Sequence, residues 1–290
     1  NFPTAGASGA LYAVGAAITN MWSNNVPGVQ AASQASAGGI ANLNMVSDGE
    51  AQVSIAISSN VYQCLNGTDS FKDHPYKDLK AIAGLYMNPN QVVVTAKSGI
   101  QTLADVKGKR FAVASAGSSV YNESNAHFTA AGLKFPDDIQ AEYITFTDAA
   151  DMLQNGSIDG AWIMSGAPAS AVTQALTGGA RLVDIDDQLV KELKAKYPWY
   201  ASYTIKAGTY PNQDRDVRTT AVKMVMFTRG DMPEDVVYNL TKALWEHIDE
   251  LGQAQKNLKG LKPEDAVKDI AGVPLHPGAE RYYREIGVLK

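Results

Sequence analysis

Two short turns of small residues have the composition to hold an anion through their backbone. The first spans residues 4–10 (Thr-Ala-Gly-Ala-Ser-Gly-Ala) and directly precedes an apolar helical pattern. The second spans residues 115–119 (Ser-Ala-Gly-Ser-Ser), after the apolar run 110–114 and before another helical stretch. Amide donors at a helix start carry partial positive charge, and small side chains let a carboxylate or phosphate approach closely. The pair predicts one ligand held from two sides, although either turn alone is as compatible with a tight turn that binds nothing.

Other polar residues do not form a recognisable catalytic or metal-binding motif. The four histidines, His74, His127, His247 and His276, lack the paired spacing of zinc ligands. Neither glycine turn matches a dinucleotide or phosphate-loop motif, and no serine has the glycine spacing of a nucleophile elbow. We therefore predict a protein that is not an enzyme and that carries neither a cofactor nor a metal.

Composition and charge narrow the class of partner. The 290 residues are 45% hydrophobic and 19% charged, and the net charge of -5 is spread without a basic run. This excludes the electrostatic footprint that nucleic acid or an acidic membrane requires. The most apolar stretch, 9–18, is shorter than the about twenty residues of a membrane span. We expect a monomer that does not span a membrane; its single cysteine, Cys64, rules out an intrachain disulfide.

Short apolar runs alternate with helical patterns, which predicts an α/β architecture with largely parallel sheets. Turn-rich segments at 87–90 and 207–214 predict two chain crossings between domains. We therefore expect lobe 1 to contain residues 1–88 and 212–290, and lobe 2 to contain 89–211, joined by a double-crossing hinge. The predicted strands are 53–57, 91–96, 110–115, 139–144, 158–164, 181–185 and 221–227.

Six segments occur in an order that resembles one known family. They are residues 4–15, 35–51, 98–110, 158–169, 207–211 and 274–283. Together they cover essentially the whole chain, and it resembles the TAXI-type solute receptors of TRAP transporters.

The resemblance implies a type II periplasmic binding protein-like fold with two α/β lobes and no catalytic residues. It implies a periplasmic receptor, exported with a signal peptide that is then removed, which binds a small carboxylate-bearing solute between the lobes. Glutamate-like amino acids, dicarboxylates and 2-oxo acids are the expected solutes, delivered to the TRAP membrane permease subunits, which an ion gradient drives. The alternatives are an ABC-importer binding protein for a small organic anion and, less favoured, a cleft enzyme on the same fold.

By position, the resemblance assigns ligand-binding residues to both lobes. They are Ser8, Gly9, Tyr12, Ser36, Gly38, Ser58, Ser59, Ser115, Gly117, Ser118, Ser119, Tyr121, Ser165 and Gly166. Ala7, Leu11, Ser59 and the Val120-Tyr121 pair depart from residues common in the family. These departures alter the polar atoms that a ligand must satisfy, and they favour a solute other than glutamate.

A basic clamp for the carboxylate does not stand out. Lys97, Arg110 and Arg181 are candidates by domain alone, and each residue type is more often a solvated surface charge.

Overall fold

The structure is a computed structural model that describes residues 1–5 and 10–290. It confirms the predicted α/β class, but the sheets are mixed and not largely parallel, because the two long strands Leu79–Val94 and Val217–Arg229 run antiparallel to their partners. The strands are β1 (Phe2–Pro3), β2 (Ser33–Gln34), β3 (Val53–Ile57), β4 (Leu79–Val94), β5 (Arg110–Ala112), β6 (Gln140–Glu142), β7 (Gly160–Met164), β8 (Arg181–Val183), β9 (Ala201–Ile205) and β10 (Val217–Arg229). The helices are α1 (Ala10–Asn25), α2 (Gly39–Ser47), α3 (Ser58–Asn66), α4 (Ser119–Ala130), α5 (Phe146–Gln154), α6 (Ser170–Thr177), α7 (Asp187–Lys196), α8 (Glu234–Glu246), α9 (Ile248–Ala254) and α10 (Pro277–Glu285).

The chain divides into two units. Unit 1 contains Asn1–Tyr86 and Lys223–Lys290, and unit 2 contains Met87–Val222. The chain passes from one unit to the other inside β4 and returns inside β10. Residues 212–222, which the sequence placed in lobe 1, belong to unit 2, because β10 begins at Val217 and pairs with β9.

The turn expected at 87–90 does not form, because these residues lie within the uninterrupted strand β4. Proline is compatible with an extended chain: its ring fixes φ near that of a strand and biases Asn88, the residue before it, away from the helical region. The side chains of Asn90 and Gln91 are buried and hydrogen-bonded, which stabilises the extended conformation. A cluster of turn-forming residues was thus a misleading signal here.

In unit 1, the strands β1 and β2 are parallel, and β3 pairs antiparallel with β10 from Val53↔Thr228 to Ile57↔Met224. Every residue of β3 is buried, including Ser54, whose hydroxyl donates a 2.6 Å hydrogen bond to the carbonyl of Pro3. The C-terminal helix α10 packs on α8, and the Tyr283 hydroxyl donates a 3.0 Å hydrogen bond to the carbonyl of Ile82. The last helix therefore anchors the C-terminal region to β4, as the sequence predicted.

In unit 2, the strands are ordered β8-β4-β7-β5-β6, with β5 parallel to both β6 and β7 and β4 antiparallel to its two neighbours. Three of its helices begin at a Ser, Thr or Asp whose side chain accepts an amide hydrogen bond, as preferred N-caps do. The apolar faces of α5 and α6 contribute Leu153, Val172 and Leu176 to the core that covers this sheet. The element order expected for 110–185 matches the observed one.

Within the described ranges, no helix has the length and apolar character needed to cross a membrane. The same ranges contain no group of three or more His, Cys, Asp or Glu residues arranged to hold a metal ion.

Candidate functional site

Three strand-to-helix junctions meet in unit 1. Strands β1 and β2 run parallel. Strand β3 runs in the same direction as β1, because its contacts with β1 advance together along both strands: Gln52 N donates to Asn1 O at 3.3 Å, and Ser54 Oγ donates to Pro3 O at 2.6 Å. Each of the three strands is followed in the chain by a helix, respectively α1, α2 and α3. Their carboxyl ends therefore share one edge, which is where open α/β sheets bind ligands.

The side chain of Asn42 connects these junctions. Its Nδ2 donates to the carbonyl of Thr4 at 2.7 Å and to the carbonyl of Ile55 at 3.0 Å, while its Oδ1 accepts the Ser36 hydroxyl at 2.6 Å. Asn42 is completely buried. One residue of α2 thus fixes the ends of β1 and β3 and the loop that leads into its own helix.

The start of α2 contains two of the sequence-predicted residues. Ser36 Oγ accepts the amide of Gly38 at 3.0 Å, so this hydroxyl both donates and accepts within the protein. Gly38 is the N-cap, with a φ of 101° that favours glycine, and it provides no side chain to cap the helix. The first helical bond runs from Asn42 N to Gly38 O, so the amides of residues 39–41 precede the helical ladder. These amides are the donors that α2 offers to an anion.

Helix α3 begins directly at the end of β3 with Ser58 and Ser59, which are both buried. Ser58 Oγ accepts the amide of Lys223 at 3.1 Å, which gives this hydroxyl a structural partner in β10. Asn60, the third residue of α3, lies against the start of α2. If Gly39 carried a Cβ atom, that atom would lie 3.1 Å from the Oδ1 of Asn60. The N-termini of α2 and α3 are therefore neighbours.

The remaining unit 1 predictions concern α1. Tyr12 lies in the first turn of α1 and is partly exposed. Ser8 and Gly9 lie outside the described residues.

Unit 2 has a second such edge. Because β5 and β7 are adjacent and parallel, with Ala112 opposite Ala161, the segments that follow them lie at the same end of the sheet. Residues 113–118 follow β5, and Ser165 and Gly166 follow β7. The structure thus brings the 115–119 turn and the 165–166 turn to one edge, as the resemblance implied.

The 113–118 loop leads into α4 through a capped start. Ser118 Oγ accepts the amide of Tyr121 at 3.1 Å, and the first helical bond joins Asn122 N to Ser118 O at 3.0 Å. Ser115 and Gly117 are exposed, whereas Ser119 and Tyr121 are partly buried. Gly117 has a φ of 75°, which only glycine adopts without strain. The loop turns sharply enough to present its amides at the helix N-terminus.

The 165–166 turn is held by a buried hydrogen-bond chain. Gln91 Nε2 donates to the carbonyl of Ser165 at 3.0 Å, and the Tyr210 hydroxyl donates to Gln91 Oε1. The same hydroxyl accepts the amide of Ala169 at 3.0 Å. Burial raises the pKa of Tyr210 to about 12, so this chain stays uncharged at neutral pH.

A second buried network lies beneath α4. Asn90 Nδ2 donates to Glu123 Oε2 at 3.2 Å and to Thr220 Oγ1 at 3.0 Å, and His127 Nε2 lies 2.7 Å from the same Thr220 oxygen. Burial lowers the pKa of His127 to about 4, and burial beside Glu123 holds the pKa of Tyr200 well above its usual range. These bonds fix the position of α4 behind its N-terminal turn.

Basic side chains are absent from the segments that form both edges. The first Lys or Arg of the chain is Lys72, and none occurs in 111–133 or 135–180. The proposed clamp residues lie elsewhere: Arg110 begins β5 and pairs with Glu142 at 2.8 Å, and Arg181 begins β8 and donates to the carbonyl of Ile100. Lys97 follows the end of the antiparallel strand β4, so all three occupy the opposite edge of the unit 2 sheet. The segments that form these edges therefore supply only neutral hydrogen-bond donors of their own.

Two residues important to this arrangement were not singled out from the sequence. Asn42 lies within a segment that carried the family resemblance. A polar residue on the otherwise apolar, buried face of a helix is the sequence feature that could have identified it. Gln91 carries no such signal, because its bonds depend on the distant residues Ser165 and Tyr210.

Comparison with known proteins gives consistent matches. A family described as NMT1-like matches residues 2–287. The periplasmic aliphatic sulphonate binding protein SsuA from Escherichia coli aligns at 18% identity and a TM-score of 0.52, covering 98% of this chain and 81% of SsuA. SsuA from Xanthomonas axonopodis pv. citri, bound to MOPS, aligns at 18% identity and a TM-score of 0.51, covering 98% of this chain and 82% of that SsuA. MatC from Rhodopseudomonas palustris, with bound malate, aligns at 14% identity and a TM-score of 0.58, covering 98% of this chain and 95% of MatC. The chain has the fold of periplasmic binding proteins, which confirms the predicted fold.

Proposed function

Because this chain belongs to the NMT1-like family, we propose that it is an extracytoplasmic receptor for a small carboxylate-bearing solute. The single observation that carries the proposal is the arrangement of helix N-termini at the carboxyl edges of both units. Helices α2, α3 and α4 each begin at such an edge, directly after or shortly after a strand. Their amides and the neighbouring hydroxyls suit an oxyanion better than a cation, because the helix N-terminus is the positive end of its dipole.

In this proposal each unit offers its own set of donors to an oxyanion. Unit 1 would contribute donors near Gly38 and Ser59, and unit 2 donors near Ser118 and Ser165. Ser36 and Ser58 would hold the surrounding backbone in place and would not contact the ligand through their hydroxyls, because both hydroxyls already have protein partners. The sulphonate and malate that the aligned relatives bind are oxyanions as well, which supports the class of ligand.

The finer proposal is a TAXI receptor in the periplasm that delivers its solute to the permease subunits of a TRAP transporter. A binding protein for an ABC importer remains the alternative, since a fold does not by itself determine which transporter a binding protein serves. Reconstituted transport separates them: a TRAP partner requires an ion gradient and an ABC partner requires ATP. The proposal assigns no catalytic residue, and chemical turnover of a bound solute would contradict it.

Binding is tested first with the full chain, after unfolding and refolding to remove any carried-over ligand. Malate, glutamate, 2-oxoglutarate, methanesulfonate and glucose are compared by thermal shift and then by calorimetry. A ligand at a hundred times its Kd adds about 2.7 kcal/mol to the free energy of unfolding, which produces a clear rise in Tm. We expect a carboxylate to bind and glucose not to bind.

Matched charge insertions locate the site. Ala37→Asp and Ser118→Asp place a carboxylate beside the starts of α2 and α4, and each should weaken anion binding at least tenfold. Ala32→Asp, before β2, and Ala130→Asp, in the last turn of α4, add the same charge at exposed positions away from these starts. If all four variants bind equally well, the helix N-termini are not the site.

A further inference from the structure

Tyr143 is an exposed aromatic residue at the carboxyl edge of unit 2. Its side chain is 46% exposed, and it directly follows β6, which is parallel to β5. Val113, the residue after β5, donates its amide to the carbonyl of Glu142 at 3.0 Å. Tyr143 and the 115–119 turn are therefore at the same edge of neighbouring strands, which lie about 4.8 Å apart in a sheet.

The ring of Tyr143 packs against the ring of Tyr121 in α4 in a tilted arrangement. The two centroids are 6.0 Å apart with an interplanar angle of 36°. The Tyr121 ring packs on Phe135 at 5.0 Å, and Phe135 stacks on the fully buried Phe128 at 5.9 Å. A continuous series of rings thus joins the surface to the core, and it holds the outer pair in place.

This pair lies next to donors that suit an anion. The amide of Tyr121 donates to the Ser118 side chain, so Tyr121 belongs to the first turn of the helix whose N-terminus the proposal assigns to the oxyanion. A single exposed aromatic residue is normal on a protein surface. An exposed ring that rests on an anchored second ring, beside an anion-binding helix start, has the composition of a ligand site: an apolar wall with few convergent polar groups.

We propose that Tyr143 and Tyr121 form an aromatic platform for a planar ring of the solute, so that the solute is an aromatic carboxylate rather than a short aliphatic one. The inference rests on the receptor function proposed above. The carboxylate is held by the neutral donors at the start of α4, and the ring packs on the tyrosines at the 4.5–7 Å centroid distances of aromatic pairs. Tyr143 is a residue that neither the sequence motifs nor the resemblance assigned.

The test compares three acids of similar chain length on the refolded full chain: 3-phenylpropanoate, 3-cyclohexylpropanoate and butyrate. We expect 3-phenylpropanoate to bind at least tenfold more tightly than either of the others. Tyr143→Ala should remove that preference, whereas Tyr143→Phe should retain it. Ile286→Ala, which truncates an exposed apolar side chain of unit 1, is the matched control and should change nothing.

Each outcome decides between the two claims. If butyrate or malate binds but the phenyl acid has no advantage, or if Tyr143→Ala preserves the advantage, the aromatic platform is wrong and the receptor function stands. If no organic acid binds, both claims are overturned.

Discussion

In unit 1 the side-chain amide nitrogen of Asn42 lies 2.7 Å from the carbonyl oxygen of Thr4, which ties helix α2 to the end of strand β1. The same nitrogen bonds to the carbonyl of Ile55 at the end of β3. A single amide therefore sets the spacing of two junctions between which an anion would bind. The bonds are buried, so water cannot replace them at low cost when the amide is removed.

Asn42→Ala should lower the free energy of unfolding by about 2 to 3 kcal/mol, because it leaves buried carbonyls without their donor. It should also weaken anion binding, since the ends of β1 and β3 and the loop before α2 lose their common support. Urea unfolding and calorimetry with the best acid measure the two effects. Asn44→Ala, at an exposed position of the same helix, should change stability by less than about 0.5 kcal/mol. Equal behaviour of the two variants would contradict the role of Asn42.

Ser118 is expected to have two separable roles. Ser118→Ala removes the N-cap of α4 and should cost about 1 kcal/mol of stability, whereas Ser118→Asp keeps an oxygen acceptor for the Tyr121 amide and should fold as stably as the native chain. The aspartate should nevertheless weaken anion binding, because its charge repels the ligand. Thermal unfolding and ligand titration of both variants are compared. Tight anion binding by Ser118→Asp would place the ligand elsewhere.

The alternation of strands and helices could be predicted because it depends on local apolar runs. The strand predicted at 53–57 is β3 with the same limits, and the one predicted at 158–164 contains β7. The prediction failed at 87–90, where turn-forming residues continue β4. There the decisive interactions are non-local: Asn90 bonds to Glu123 and Thr220, and Gln91 to the loop after β7. Local propensity carries no information about such partners.

The same limit applies to the candidate site. The sequence could place serines at strand ends, but it could not separate hydroxyls that serve the fold from those left for a ligand. Ser58 bonds to the amide of Lys223, 165 residues away, and only the register of β3 with β10 brings them together. Tyr143 was missed for the same reason, because its position depends on the pairing of β6 with β5.

His127 should make stability depend on pH. Its pKa is lowered to about 4 by burial, from 6.5 in the unfolded chain, so the unfolded state binds a proton first as the pH falls. Its contribution is complete above about pH 6.5 and is lost progressively towards pH 4, amounting to about 3 kcal/mol. The shift comes from burial of the ring among Trp162 and Tyr200, and the hydrogen bond to the Glu123 carbonyl opposes it.

Urea unfolding of the native chain and of His127→Gln between pH 7 and pH 4 tests this expectation. The difference between the two free energies of unfolding removes the contribution of the carboxylates and of His276, whose pKa burial also lowers. The native chain should lose about 3 kcal/mol more than the variant across this range. Parallel pH curves would show that His127 is protonated in the folded state.

Cys64 should report local opening of unit 1. It is the single cysteine of the chain, it is 1% exposed, and burial raises its pKa to about 11. At pH 8 only about one thiol in a thousand is ionised, and the thiolate is the reactive form. The native protein should therefore react with a disulfide reagent several orders of magnitude more slowly than the chain unfolded in guanidinium. At pH 8, stopped-flow mixing measures the fast reaction of the unfolded chain, and manual mixing measures the slow reaction of the native protein.

The labelling rate also connects Cys64 to Asn42, because α3 and α2 share one core in which Cys64 packs with Leu43 and Val46. Asn42→Ala should accelerate labelling by the factor that corresponds to its loss of stability, about 30-fold to 150-fold for 2 to 3 kcal/mol. Asn44→Ala should label at the native rate. If Asn42→Ala labels no faster than Asn44→Ala, the junctions are held independently of Asn42. The site would then be supported by the packing of α2 and α3 alone.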